Sequence, residues 1–298
     1  MGSRRGPTIN TFSIVGRDPE TGQVGVAVAT KFLAVGAGVP HGEYGVGAVA
    51  VQAEHHPEFG ERTMEALRDG LSPEAAVEAA LTDDDRRGYR QLGVVDAQGR
   101  SYSFTGEDCG YWAGGVAVEN AAAQGNMLVN EATVTAMIEV FQTSSDSLPE
   151  RLLAALTAGD QAGGDSRGRQ STALYVRGRP EGTSLYREGK IDLRVDDHPE
   201  PFGELKRLLR VRYRIHGSLD PDRAVEMDDA TCRRVQESLF NLGYLERRPT
   251  GQYDEVTRKA LKRFAYRENL RRRLDENGRF DEVFLDHLIQ QGRSLARG

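Results

Sequence analysis

The chain has 298 residues, with 38% apolar and 7% aromatic side chains and a formal net charge of −6. That length fits about two domains of ~150 residues each, and no run approaches the ~18 consecutive apolar residues of a membrane-spanning helix. Residues 1–216 hold 30 acidic against 23 basic side chains, whereas residues 217–298 hold 15 against 16. An acidic first part matches a nucleic-acid backbone poorly, so neither nucleic acid nor a membrane is an expected partner.

Only Cys109 and Cys232 are present, which excludes a disulfide framework and fits a reducing compartment. The opening MGSRRGPTIN has two arginines with no apolar stretch behind them. The expectation is a cytoplasmic protein without a secretory signal.

In chain order, TFSIVGR and QVGVAVAT are short apolar runs joined by DPETG. Asp-Pro and a closing Gly punctuate a turn, so a β-hairpin headed by Thr11 is predicted. GVGAVAVQ, from Gly45 to Gln52, is a third strand whose small residues imply close packing. Phe59 to Gly70 sets Met64, Leu67 and Leu71 on one helical face. Ser72-Pro73 then caps and opens a second helix. QLGVVDA and RSYSF form a hairpin about DAQG, and GVAVENAAA reads as one further strand ending in QGN. Asn130 precedes a helix with Val134, Met137, Ile138 and Phe141 at i, i+3, i+4 and i+7. Leu152, Leu153 and Leu156 mark another, expected to stop near Gly159. Beyond AGGDSRGRQ come strands STALYV and KIDLRV, then a helix from about Pro199 to Arg212.

Strict βαβ alternation would predict a parallel doubly wound sheet, and this order is different. Hairpins stacked as two sheets with helices outside fit better. The expected class is α+β: a four-layer αββα sandwich over residues 10–212. A linker at 213–225 leads to a small all-α three-helix domain at 226–298. There GQYDEV (Gly251 to Val256) recurs as GRFDEV (Gly278 to Val283), each leading into a helix. Phe240, Leu242, Tyr244, Tyr253 and Phe264 are its expected core. A unit this small is expected to dock on a neighbour or to self-associate into a homo-oligomer.

TFSIVGRDPETGQVGVAVATKFLAVGAGVP, YRQLGVVDAQGR, QGNML, AGGDSRGRQS and IDLRVDDHPEP together resemble the bacterial family known as domain of unknown function 1028. That family is placed in the Ntn-hydrolase (N-terminal nucleophile) superfamily. VQESLFNLGYL and TGQYDEVTRKALKRF resemble a peptidoglycan-binding-like domain. A family name promises a fold rather than an activity.

The resemblance implies a role for Thr11. In Ntn hydrolases a Thr, Ser or Cys is the nucleophile and its own α-amine, pKa about 8, is the base. That requires cleavage of the Asn10–Thr11 bond; otherwise Thr11 is a β-branched strand start. Lys31 closes the second strand, and related enzymes use a Lys to depress the amine pKa. The proteasome-type Lys would fall near Glu43 or Tyr44, where no Lys stands, and a solvated strand end is the competing reading.

Gln124, Gly125 and Asn126 offer amide groups and a backbone N–H for an oxyanion, or a simple turn. In the glycine-rich stretch Gly163 to Ser171, Asp165, Arg169 and Ser171 are candidate ligand contacts, together with Gln52. An internal Asp165–Arg169 brace is the alternative. The stretch lacks the nucleotide P-loop pattern.

His55-His56 and Asp196, Asp197 and His198 have no metal-ligand spacing. No metal and no cofactor are expected. The run RKALKRFAYRENLRRR carries eight basic residues and one acid; it reads as a solvated helix face or as a contact for an anionic polymer.

Two functions follow. One is an amidohydrolase acting on a small amide or peptide-like bond, with catalytic Thr11, Lys31, Gln124 and Asn126. The other is a non-catalytic binding protein on the same scaffold, whose tail binds a peptidoglycan fragment or a partner.

Overall fold

The computed structural model describes residues 11–180 and 189–295, together with the backbone of Thr8–Ile9. The chain divides into two compact units, Met1–Leu208 and Leu209–Gly298. Among the described residues no helix is long and apolar enough to cross a membrane.

The first unit contains two antiparallel sheets. One joins β1 (Thr8–Ile9), β4 (Pro40–Glu43), β5 (Gly47–Glu54), β6 (Arg90–Asp96) and β7 (Ser101–Thr105). Its order is β1-β5-β6-β7, with β4 also on β5. The other joins β2 (Thr11–Arg17), β3 (Val24–Thr30), β8 (Trp112–Val118), β9 (Ala121–Leu128), β10 (Ser171–Arg177) and β11 (Lys190–Val195). Its order is β11-β10-β3-β2-β9-β8.

Strand periodicity explains the layering. In β5, Ala48 and Ala50 face the second sheet and join Val15, Val26, Val28 and Ala173 in the inter-sheet core. The alternate residues Val49 and Val51 face outward onto α1 (Pro57–Arg68) and α2 (Pro73–Ala80). Period-2 side chains buried on both faces make such strands continuously apolar. The second sheet is covered by α3 (Ala132–Thr143) and α4 (Leu148–Gln161), and α5 (Pro201–His216) follows. The four-layer αββα order expected from the sequence is present.

Three local expectations are corrected. GVAVENAAA is two strands, β8 and β9, turned at Glu119-Asn120 with Asn120 at φ 66°. Asn tolerates this left-handed region, so the turn needs no glycine. Gly159 is no helix stop, since α4 continues to Gln161. Its missing side chain lets α4 approach α3, where a Cβ would sit 2.7 Å from Met137 Cγ. Helix α5 starts at Pro201 and runs to His216.

The second unit holds α6 (Asp229–Asn241), α7 (Glu255–Arg267) and α8 (Glu282–Leu295) around Leu239, Leu261, Phe264 and Phe284. The GQYDEV and GRFDEV repeat has a physical basis. Gly251 and Gly278 both adopt left-handed φ, at 82° and 83°. Three residues on, Asp254 accepts from Thr257 N at 3.0 Å and Asp281 from Phe284 N at 2.9 Å, each capping a helix. Each Asp also pairs with an Arg, Arg247 and Arg273 respectively. Phe264 is in the core, with Leu242, Tyr244 and Tyr253 packed against it. Phe240 is not: its ring is 42% exposed at the end of α6.

Candidate functional site

The inter-sheet layer changes chemistry along the strands. At one end it is Val and Ala; at the other it is amide and hydroxyl. Thr11, Thr30 and Ser171 stand in one register row across β2, β3 and β10. Ser13 pairs with Gln124 across β2 and β9, and Gln52 with Gln91 across β5 and β6. All seven, with Asn126, are buried. Each occupies a position where strand alternation points inward, so a polar residue there must find its partners inside the protein.

Most do. Gln124 Nε2 donates to Ser13 Oγ at 2.6 Å, and Ser13 Oγ donates to Gln52 Oε1 at 2.7 Å. Gln52 Nε2 donates to Gln91 Oε1 at 2.7 Å and to the Thr11 carbonyl at 3.3 Å. Asn126 Nδ2 also donates to Gln91 Oε1, at 2.8 Å, and Gln91 Nε2 donates to the Gly125 carbonyl at 2.7 Å. Gln124 Oε1 and Asn126 Oδ1 are buried without a hydrogen-bond partner. Ala53 and Met127, each directly after a belt residue, hold left-handed φ of 69° and 56°. For residues with a Cβ that conformation is strained and requires its surroundings to enforce it.

Thr11, Gln52, Gln124, Asn126 and Ser171 therefore converge on one end of the sandwich. Thr11 is fully buried. The Asn10–Thr11 bond involves Asn10, which lies outside the described residues. Just upstream, Thr8 and Ile9 pair with Glu54 and Ala53 of the opposite sheet. The side-chain N–H groups of Gln124 and Asn126 are committed to Ser13 and Gln91, and their free atoms are acceptors. An oxyanion needs donors, and the side-chain amides of Gln124 and Asn126 leave only acceptors free here. Lys31 is exposed and its Nζ donates to the Arg169 carbonyl at 3.1 Å.

The 163–171 loop is braced from within. Asp165 is 5% exposed. Its carboxylate accepts from Lys31 N at 2.9 Å and from the Arg167 guanidinium at 2.8 and 3.0 Å. The brace is thus Asp165–Arg167 rather than Asp165–Arg169. Arg169 pairs with Asp160 at 2.7 Å and Glu200 at 3.4 Å. Ser171 Oγ donates to the Phe32 carbonyl at 2.6 Å and accepts from Val35 N at 3.1 Å.

Sequence reasoning missed Ser13, Thr30 and Gln91. Their signal was present: a polar residue at an inward position of an otherwise apolar strand. It also missed an open cleft of about 310 Å³ between β4, α1 and Tyr175. His41, Glu43, Glu61, Glu65 and Arg68 line it. Arg68 pairs with Glu43 at 2.8 Å. Burial holds the His41 imidazole below its usual pKa and pushes the Tyr175 phenol up. Among the described residues no group of His, Cys, Asp and Glu is placed to hold a metal ion.

Residues 11–205 match a family of unknown function, DUF1028. The chain belongs to this DUF1028 family. A crystal structure of a Silicibacter pomeroyi protein from DUF1028 is similar to it, with 37% sequence identity and a TM-score of 0.62. That similarity covers 68% of this chain and 89% of the other. Residues 218–288 match a putative peptidoglycan binding domain. No curated protein matches the chain. The buried belt lies wholly within the DUF1028 match, and the GQYDEV and GRFDEV repeat within the second match.

Proposed function

We propose that this DUF1028 protein is a non-catalytic binding protein whose C-terminal module engages a peptidoglycan fragment. The observation that carries the reading is the match of residues 218–288 to a putative peptidoglycan binding domain. Support comes from the first unit: its polar belt is built of amides and hydroxyls that largely satisfy one another, and Thr11 is fully buried within it. The domain limits 10–212 and 226–298 are part of the same proposal. The test is retention of the full chain on purified, insoluble peptidoglycan at ~0.15 M salt, where exposed charges are screened beyond ~8 Å. Absence from the pellet at every salt concentration would remove the reading.

A second reading is an Ntn-type amidohydrolase for a small amide or peptide-like bond, with Thr11 as nucleophile. One observation favours it: Thr11 is both the first residue of β2 and the first residue of the DUF1028 match. It requires that the chain lose everything up to Asn10, since only then does Thr11 gain an amine of pKa about 8 beside its hydroxyl. Intact mass decides it. A full-length mass after prolonged incubation, with no shorter species, rules this mechanism out.

A further inference from the structure

The sequence run RKALKRFAYRENLRRR divides in the structure. Arg273 turns inward, is buried, and pairs with Asp281 while donating to the Arg214 and Tyr213 carbonyls. Arg258 pairs with Glu255 at 3.1 Å. The remainder forms one exposed stripe. Lys259, Lys262, Arg263, Tyr266 and Arg267 follow i, i+3, i+4, i+7 and i+8 on α7, opposite buried Ala260, Leu261, Phe264 and Ala265. Such spacing places side chains on one helical face, and from Lys259 to Arg267 it extends ~12 Å at 1.5 Å per residue.

Two features separate this face from an ordinary solvated one. Its cations are only weakly compensated. Among the described residues Lys259 has one carboxylate near it, Glu255 at 3.9 Å, and that carboxylate already serves Arg258. Among the described residues Lys262 and Arg263 contact backbone carbonyls alone, those of Glu276 and Tyr244. Arg267 and Arg271 have no ion pair among the described residues. The face also displays an aromatic ring: Tyr266 is 68% exposed, with the Arg271 guanidinium 4.9 Å from its centroid. An exposed ring beside exposed cations offers an apolar platform and charge-assisted donors together.

We infer that this α7 face binds a carboxylate-bearing glycopeptide, with Tyr266 as the stacking platform for a sugar and Lys259, Lys262 and Arg267 as the carboxylate contacts. The inference rests on the peptidoglycan reading above and locates its surface. Peptidoglycan fits both features, because its sugars present apolar ring faces and its stem peptides end in carboxylates. A nucleic-acid duplex would use the cations without the ring, whereas a single strand can also stack its bases on an exposed aromatic, so single-stranded DNA is the competing ligand the test must include.

The experiment compares full-length chains on purified peptidoglycan from 0.05 to 0.3 M salt. The variants are Lys259→Glu/Lys262→Glu/Arg267→Glu, Tyr266→Ala and, as a charge control on α6, Arg234→Glu. All five altered positions are exposed, and a thermal melt checks each fold. The expected result is retention of the parent and of Arg234→Glu, with at least about tenfold weaker binding for the triple variant. Tyr266→Ala should weaken binding at high salt, where the charges no longer carry it. Parent-like retention of both α7 variants overturns the inference and leaves peptidoglycan binding standing elsewhere on the protein. Failure of the parent itself overturns both. Stronger parent retention on single-stranded DNA than on peptidoglycan at 0.15 M salt assigns the stripe to nucleic acid instead.

Discussion

Ser13 Oγ lies 2.7 Å from Gln52 Oε1, and this hydrogen bond ties β2 of one sheet to β5 of the other in the interior of the sandwich. Gln52 also accounts for the Gln91 amide and the Thr11 carbonyl. Removing it takes the acceptor from the buried Ser13 hydroxyl and one donor each from the Gln91 amide oxygen and the Thr11 carbonyl, and a buried polar group that loses its partner costs about 1–3 kcal/mol.

Gln52→Leu should therefore destabilise the first unit by at least about 1–3 kcal/mol, although Leu is similar in volume and apolar. Ser13→Ala should cost less, because it removes one donor and one acceptor together. The double variant should cost less than the sum, since the two side chains share a bond. Urea unfolding of the three variants measures this. Additive losses would mean that the belt is not one network.

Glycine positions give a paired prediction with opposite signs. Gly93 faces the belt, and a Cβ there would overlap the Gln124 side-chain amide. Gly93→Ala should cost about 1–3 kcal/mol through overpacking. Gly203 lies in the first turn of α5 with nothing within 4 Å of an added Cβ. Gly203→Ala should stabilise by about 0.4–1 kcal/mol. Equal effects at both sites would contradict the packing described for Gly93.

Much of this architecture was legible because its signals are local. Ser72 caps α2 as its sequence suggests, accepting from Ala75 N at 3.3 Å. The apolar spacing of Val134, Met137, Ile138 and Phe141 is buried in α3. The Glu119-Asn120 turn was not legible, because Asn can take the left-handed conformation usually advertised by Gly. The site was half legible. Thr11, Gln52, Gln124 and Asn126 do meet, yet which of their atoms remain free depends on inter-sheet partners such as Ser13 and Gln91. Asp165 joined Arg167 rather than Arg169 because a loop's geometry, not its composition, decides which guanidinium reaches.

Acid should act on the second unit through Asp254. Hydrogen bonding from Thr257 N and the Arg247 guanidinium lowers its carboxyl from 3.8 to about 2. A folded-state pKa below the unfolded value contributes stability that is complete above ~3.8 and is lost as pH falls toward ~2. Asp254→Asn keeps a capping acceptor but removes the charge. Because the side chain is 36% exposed, the expected loss near neutral pH is only about 0.5–1 kcal/mol. The gap between parent and variant should close between pH 4 and pH 2. A gap that widens with acid would refute the assignment.

The two halves of the internal repeat allow a direct test of burial. Arg247–Asp254 and Arg273–Asp281 are equivalent pairs, but the first is 40% and 36% exposed and the second 9% and 13%. An exposed pair contributes about 0–1 kcal/mol and is screened by salt. A buried one leaves an uncompensated charge when broken, at about 3–5 kcal/mol. Arg247→Ala should therefore cost at most about 1 kcal/mol, with the difference vanishing in ~1 M salt. Asp281→Asn should cost about 3–5 kcal/mol at any salt concentration, since the Arg273 guanidinium then stays buried without its carboxylate. Arg273→Lys should not rescue the site. Lys cannot reach Asp281 and the Arg214 and Tyr213 carbonyls with the fixed fork that a guanidinium supplies. Native-state hydrogen exchange of the α6, α7 and α8 amides in the full chain, with and without salt, reads all three. Comparable losses for Arg247→Ala and Asp281→Asn would mean that the repeat's two ion pairs are energetically alike despite their different burial.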